Sequence, residues 1–335
     1  MEFSRDQRIG SYRVETELGP TGCGILLQAR HLVLPRRAII KVVRPAFAEM
    51  QPFVLQMLRE ACILEAISHA GVPILYESGV LPDRRPWFAF ELITGPTLED
   101  LLAPGRLSVI EVAGLLRDLA DILEHAHRRG VIHCGLRPDR IVSTSERRYP
   151  LCIPDWSEAI THDVTCMPCA ASKASHSYLA PELARQDAGS SHERIDHRAD
   201  MFALGGIAYR ALTGGLPFAP GQGAAPCVPV RELRPDVPFE LAAIIESLLA
   251  RDRIDRPSAA EVRANLDWLF EMLPELKPRA ASRREPRLAI VRGPEEADVV
   301  RLEQPRLRRP RWTPDLRHVE TPHVELRIAE DDRAK

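Results

Sequence analysis

No stretch of this 335-residue chain comes near the run of about eighteen consecutive apolar residues that a membrane-crossing helix requires, so no span is expected. The opening run Met1-Glu2-Phe3-Ser4-Arg5-Asp6 is charged and lacks the apolar segment of a secretory signal. A disulfide framework is missing as well. The seven cysteines are odd in number and irregularly spaced, which points to a reducing compartment and, with the missing span, to a soluble cytoplasmic protein. Nor does either charge dominate: 45 Lys and Arg against 47 Asp and Glu leave a formal net charge of -2, so any basic patch has to be local. What is present is a 45% hydrophobic composition, enough to bury the core of one large domain or two ordinary ones.

Local patterns divide the chain. Tyr12 to Leu18 and Ile25 to Ala29 read as strands flanking the turn Gly19-Pro20-Thr21-Gly22-Cys23-Gly24. Ala38-Ile39-Ile40-Lys41-Val42-Val43 reads as an apolar strand with one charge among β-branched residues, and Lys41 there requires a partner. A helix is predicted from about Pro52 to Ser68, with the proline suited to its first turn. Val72 to Val80 and Trp87 to Glu91 alternate like paired strands and complete a five-stranded sheet. Ser108 and Glu111 form a capping box opening a long core helix, on which Val112, Leu115, Leu116, Leu119, Ile122 and Leu123 recur at helical spacing up to Gly130. His125 and His127 in its last turn read as dipole-favoured surface or packing residues without a function. A second capping box, Ser258 to Glu261, opens a helix ending near Leu273.

From Pro274 onward prolines recur, charges dominate, and a mostly disordered tail is expected. Its basic run Arg306 to Trp312 reads as a solvated linker, because Asp and Glu are also frequent in the tail; nucleic acid is not expected as a partner. Leu288 to Val300 leaves short docked strands as an alternative. His162, Cys166, Cys169 and His176 contain a Cys-x-x-Cys core, but the outer His spacings match no compact zinc turn, so zinc is not expected and a redox pair stays open.

One run draws these elements together. His133-Cys134-Gly135, Arg137-Pro138, Arg140, then Asp155-Trp156-Ser157, resembles the catalytic loop and magnesium motif of bacterial Ser/Thr protein kinases of the Hanks type. The ordered series Gly19, Lys41, Glu60, His133, Asp155, Ala180-Pro181-Glu182, Asp200 and Arg256 carries the resemblance over residues 11 to 273. It implies an α+β, bilobal protein-kinase-like fold, with a small antiparallel β lobe holding one main helix and a larger, mostly helical lobe. The implied divisions are an extension over 1–10, lobes over 11–93 and 94–273, and the tail over 274–335.

The resemblance implies nucleotide contacts from Gly19, Gly22, Gly24, Leu26, Lys41, Glu60, Glu91, Ile93 and Asp155, with Glu91-Leu92-Ile93 as the hinge and Phe90 behind the pocket. It also implies a buried Glu182 and Arg256 pair, and an Asp200 that accepts amide hydrogen bonds from the catalytic loop.

Departures from the pattern fall on the chemistry. Gly135 stands where the family has its catalytic Asp, and Arg140 where it has a metal-binding Asn. Cys134 removes an arginine that senses activation-segment phosphate, and Ile39 narrows the adenine slot. Arg137 is a stand-in for the phosphate-facing Lys. Asp139 is the one substitute carboxylate, with its side chain expected to point away from the site. These changes imply a pseudokinase, a signalling scaffold or allosteric module for a protein partner such as an active kinase or its substrate. ATP would bind weakly or not at all, and magnesium, if held, would rest on Asp155. The alternative is an active Ser/Thr kinase with a non-standard loop. Deleting residues 279–335 is expected to leave the melting temperature of the remainder unchanged; a large loss would show that the tail contributes docked structure.

Overall fold

The structure, a computed structural model, describes residues 2–161, 177–187, 195–218 and 227–277. Its first part is a six-stranded antiparallel sheet in the order β1-β2-β3-β4-β6-β5, made by Arg8–Ile9, Tyr12–Thr21, Gly24–His31, Arg37–Val43, Pro86–Glu91 and Leu75–Val80. Helix α1, Gln51–Ile67, packs on one face through Met57, Ile63, Leu64 and Ile67. The other face closes over a separate core of Ile9, Tyr12, Val14, Leu27, Ala29, Ile40 and Trp87. This placement between two apolar faces explains why, after the exposed Arg37 at its start, β4 carries no polar residue except Lys41.

Two expectations are corrected here. The sheet has six strands rather than five, because residues 1–10 are not a bare extension: β1 pairs with β2, and Phe3 and Ile9 are buried. The glycine-rich stretch is not a six-residue turn either. β2 runs through Pro20 and Thr21 past a bulge between Glu17 and Gly19, and Thr21 pairs with Gly24, so only Gly22 and Cys23 form the tip.

The second part is mainly helical. After α2, Leu98–Leu102, the capping box of Ser108 and Glu111 opens α3, Val109–His127, whose buried stripe runs from Val112 to Ala126. β7, Val131–Ile132, leads into the loop around Gly135, and a 3-10 turn at Pro138–Arg140 closes that loop. β8, Val142–Ser143, pairs with β9, Leu151–Cys152; β10, Ile160–Thr161, returns to pair with β7. The two loops carrying Gly135 and Asp155 thus share one short-stranded frame. Helices α4, Pro181–Asp187, α5, Arg198–Thr213, α6, Val230–Leu233, α7, Phe239–Leu248, and α8, Ala259–Met272, complete it. Helix α5 is apolar around nearly its whole circumference because α3 and α7 pack against it. Pro274–Leu276 adds a 3-10 turn with Leu276 buried, so ordered packing extends past 273.

Arg256 fastens the start of α4 to the end of this region. Its guanidinium meets Glu182 in a two-pronged pair at 2.7 and 3.0 Å, and it also donates to the carbonyl oxygens of Ala250, Arg251 and Arg198. Both side chains are fully enclosed, so losing one partner strands a buried charge. Arg256→Ala is expected to lower stability in urea denaturation by about 3–5 kcal/mol; a loss like that of an exposed ion pair would show that the pair is dispensable.

Candidate functional site

Lys41 sits centrally on β4 with its ammonium 2.6 Å from the Glu60 carboxylate on α1, both groups buried. Burial opposes the charge on Lys41, but Glu60 and Asp155 together hold its pKa above the ordinary value. Across the hairpin, Gly24 lacks a Cβ because one would stand 3.0 Å from the Lys41 side chain. Gly24 therefore makes room for the lysine. Gly19 and Gly22 hold positive φ, and a Cβ on either would meet nothing within 4 Å. Leu26 lies directly opposite Lys41 on β3. At the far end of β6, the Glu91 amide donates to Ile74 and its carboxylate lies 3.2 Å from Arg147, while Ile93 is half-buried in the link that follows. Phe90 is buried and pairs with Ile39 on β4.

The loop beneath is positioned by Asp200 at the start of α5. One of its oxygens accepts from the His133 amide and the other from the Cys134 amide, each at 2.8 Å. His127 Nε2 completes the arrangement 2.8 Å from the first oxygen. Burial works against the Asp200 charge, but the His127 hydrogen bond and neighbouring imidazoles hold its pKa below the usual range. His127 is therefore part of the loop's anchor, correcting the expectation that it had no role beyond packing. Cys134 adopts positive φ, and burial lowers the pKa of His133, whose ring lies 4.7 Å from that of Trp156. A neutral His133 can accept from the Gly135 amide through Nδ1, at 3.2 Å.

Arg140 forms the centre of the loop. Its Nε is 3.2 Å from Asp155 Oδ2 and its Nη2 is 2.6 Å from Glu158 Oε1. One guanidinium thus joins two carboxylates, and Asp155 also accepts from the Ser157 amide at 3.1 Å. Burial alone would raise the Asp155 pKa, but the Arg140 and Lys41 charges pull it well below the usual carboxylate range. Gly135 fits the same arrangement: a Cβ there would overlap the Glu158 carboxylate and stand 2.8 Å from Arg140 Nη1. Glu158 has no counterpart among the sequence candidates. Asp139 turns aside, half-exposed and 2.8 Å from Arg137. Arg137 is thus drawn to Asp139 in this conformation.

The candidate residues therefore fall into three groups. Lys41, Glu60, Asp155 and Arg140 converge; Gly19, Gly22, Gly24 and Leu26 lie on the hairpin above; Glu182, Asp200 and Arg256 hold the frame. His162, Cys166, Cys169, His176 and Leu288 to Val300 lie outside the described residues. Among the described residues no three His, Cys, Asp or Glu side chains converge as a metal shell, and no helix is long and apolar enough to cross a membrane.

A twisted sheet with one helix, joined to a helical part that carries two paired loops, defines the two-lobed architecture of protein kinases. The sequence matches the protein kinase domain family over residues 12–269, and the chain belongs to that family. Its relatives are bacterial Ser/Thr kinases. The serine/threonine-protein kinase PknJ of Mycobacterium tuberculosis is 28% identical over 275 residues, covering 77% of this chain and 45% of PknJ. Pkn3 of Myxococcus xanthus is 30% identical over 269 residues, covering 75% of this chain and 48% of Pkn3. This chain thus spans less than half the length of those two relatives. Among solved structures, the kinase domain of PknI from Mycobacterium tuberculosis superposes with a TM-score of 0.60 at 26% identity, covering 81% of this chain and 99% of that domain.

Two cations thus stand in different settings: Lys41 is held by Glu60, whereas Arg140 neutralises Asp155. In a thermal-shift titration, ATP is expected to raise the melting temperature slightly and equally with magnesium or with chelator, and Lys41→Ala should abolish the shift. A large shift that strictly requires magnesium would contradict this account.

Proposed function

We propose that this protein is a pseudokinase: a Ser/Thr-kinase-type domain that works as a conformational binding module for a protein partner, an active kinase or its substrate, and transfers phosphate negligibly. The observation carrying this reading is the Arg140 guanidinium held between Asp155 and Glu158. Protein kinases use ATP with magnesium, and that metal requires carboxylate and amide oxygens around it. Here the residues do not fit a magnesium ion. The side chain at the second ligand position is itself a cation, and it has already paired with the first ligand.

The hydroxyl acceptor is missing as well. Gly135 offers no carboxylate, and groups of that kind contribute about 10²- to 10⁴-fold to rate. A side chain at 135 would also have to displace the ends of Glu158 and Arg140 from their ion pair. ATP would then meet Lys41 and the glycine hairpin without a metal bridge, consistent with weak or absent binding.

A second reading, an active Ser/Thr kinase with a non-standard loop, is favoured by the assembled Lys41–Glu60 pair, which retains the phosphate clamp and its support. Asp139 is the remaining carboxylate available to that reading. The test follows labelled γ-phosphate into the protein itself and into a generic Ser/Thr substrate, with Lys41→Ala as the contamination control. Wild type is expected to match that control. Gly135→Asp alone is expected to add nothing, because Arg140 and Glu158 remain. Robust transfer by wild type that Lys41→Ala abolishes would overturn the proposal and make Asp139 the first residue to test.

A further inference from the structure

The strand register of the small sheet places four arginines in one line. Arg8 on β1 stands directly opposite Arg13 on β2, Arg13 opposite Arg30 on β3, and Arg30 opposite Arg37 on β4. Residues paired this way share a face, so all four side chains project together, away from the core formed by Tyr12, Val14, Ala29 and Ala38. All four are exposed. Lys41 lies on the same face of β4, four residues from Arg37, or about 14 Å along the strand.

Like charges placed directly opposite one another destabilise a sheet, so fold stability does not account for this ladder. Compensation within the chain is partial. Glu15 lies 2.9 Å from Arg37 Nε and also accepts from Gln28, while Asp6 lies 3.8 Å from Arg13 and both of those side chains are about half exposed or more. Arg8 donates to the Gly10 carbonyl, and Arg30, which enters no ion pair or side-chain hydrogen bond among the described residues, acts on Glu15 through its charge alone. Four guanidinium groups thus face two carboxylates, leaving a local surplus of positive charge in a chain whose formal net charge is -2.

We propose that this arginine ladder docks an acidic helical segment of a partner protein. Spacing selects the helix: rungs across a sheet are about 4.8 Å apart, close to the roughly 5–6 Å between side chains at i and i+3 or i+4 on a helix, and shorter than the roughly 6.6 Å between same-face positions on an extended strand. Chemistry selects carboxylates, because a guanidinium fork donates to two oxygens in one plane. Single-stranded nucleic acid is disfavoured, since the rung offers four arginines and no aromatic surface for bases to stack on. The proposal is independent of whether the protein transfers phosphate.

The test uses the full chain and two dye-labelled synthetic helical peptides of identical composition, one with Glu along a single face at i, i+4 spacing and the other with the same residues dispersed around the helix. Fluorescence polarisation is expected to show salt-sensitive binding of the first peptide and little of the second. The double variant Arg13→Gln/Arg30→Gln should weaken that binding about tenfold, from two charge contacts of up to about 0.7 kcal/mol each. Arg128→Gln, an exposed arginine at the end of α3, should leave it unchanged. The double variant should also melt at the same temperature as wild type or higher, because opposed like charges have been removed. Equal binding of both peptides, tighter binding of a single-stranded oligonucleotide of matched charge, undiminished binding by the double variant, or a lower melting temperature would each overturn the proposal. The last outcome would assign the arginines a structural role instead.

Discussion

The ion pairs of Arg140 with Asp155 and Glu158 determine what the rest of this structure can do. A guanidinium is charged at every accessible pH and carries donors only, so it cannot yield its place to a metal by losing a proton. Its two carboxylate partners come from the segment after β9, and it also points towards the Gly135 carbonyl at 3.5 Å. One side chain therefore closes the gap between the two loops from which a kinase assembles its chemistry. Gly135 suits the same arrangement, because a Cβ there would displace the ends of the Glu158 and Arg140 side chains.

Around this centre the supporting frame is intact. Asp200 still receives both loop amides, Glu182 still receives Arg256, and Lys41 still meets Glu60. Each of these interactions is buried, and each would leave an unpaired charge or orphaned amide if one partner were lost. Such groups persist for the shape they maintain, whatever becomes of the reaction. Under the proposed reading, a domain that keeps this frame while Arg140 neutralises Asp155 is suited to recognition, and the small sheet adds a row of exposed arginines.

Much of this was legible in the sequence, for identifiable reasons. Lys41 announced itself as the one charge in the apolar run from Ala38 to Val43, and the capping boxes at Ser108 and Ser258 marked helix starts through local hydrogen bonds that depend on four residues only. The pairing of Arg140 with Asp155 could be anticipated from opposite charges at two motif positions. Glu158 could not, because it meets Arg140 across eighteen positions of chain and carries no local pattern. His127 was missed because a histidine in the last turn of a helix is explained well enough by the helix dipole; only the fold brings Asp200 to it. β1 is two residues long, too short to show alternation, and the glycines and proline beyond the bulge at Leu18 disguised a continuing strand as a turn.

In the proposed reading Arg140 holds the place a catalytic metal would need. Electron paramagnetic resonance of added manganese, titrated into the protein with excess ATP, reads that place directly by counting ions bound to the protein beyond those held by free nucleotide. Wild type is expected to bind none stoichiometrically, and Arg140→Asn is expected to gain a site, since Asp155 and Glu158 would lose the guanidinium that pairs them. A stoichiometric manganese ion in wild type, lost when Asp155 is replaced by Asn, would contradict the account.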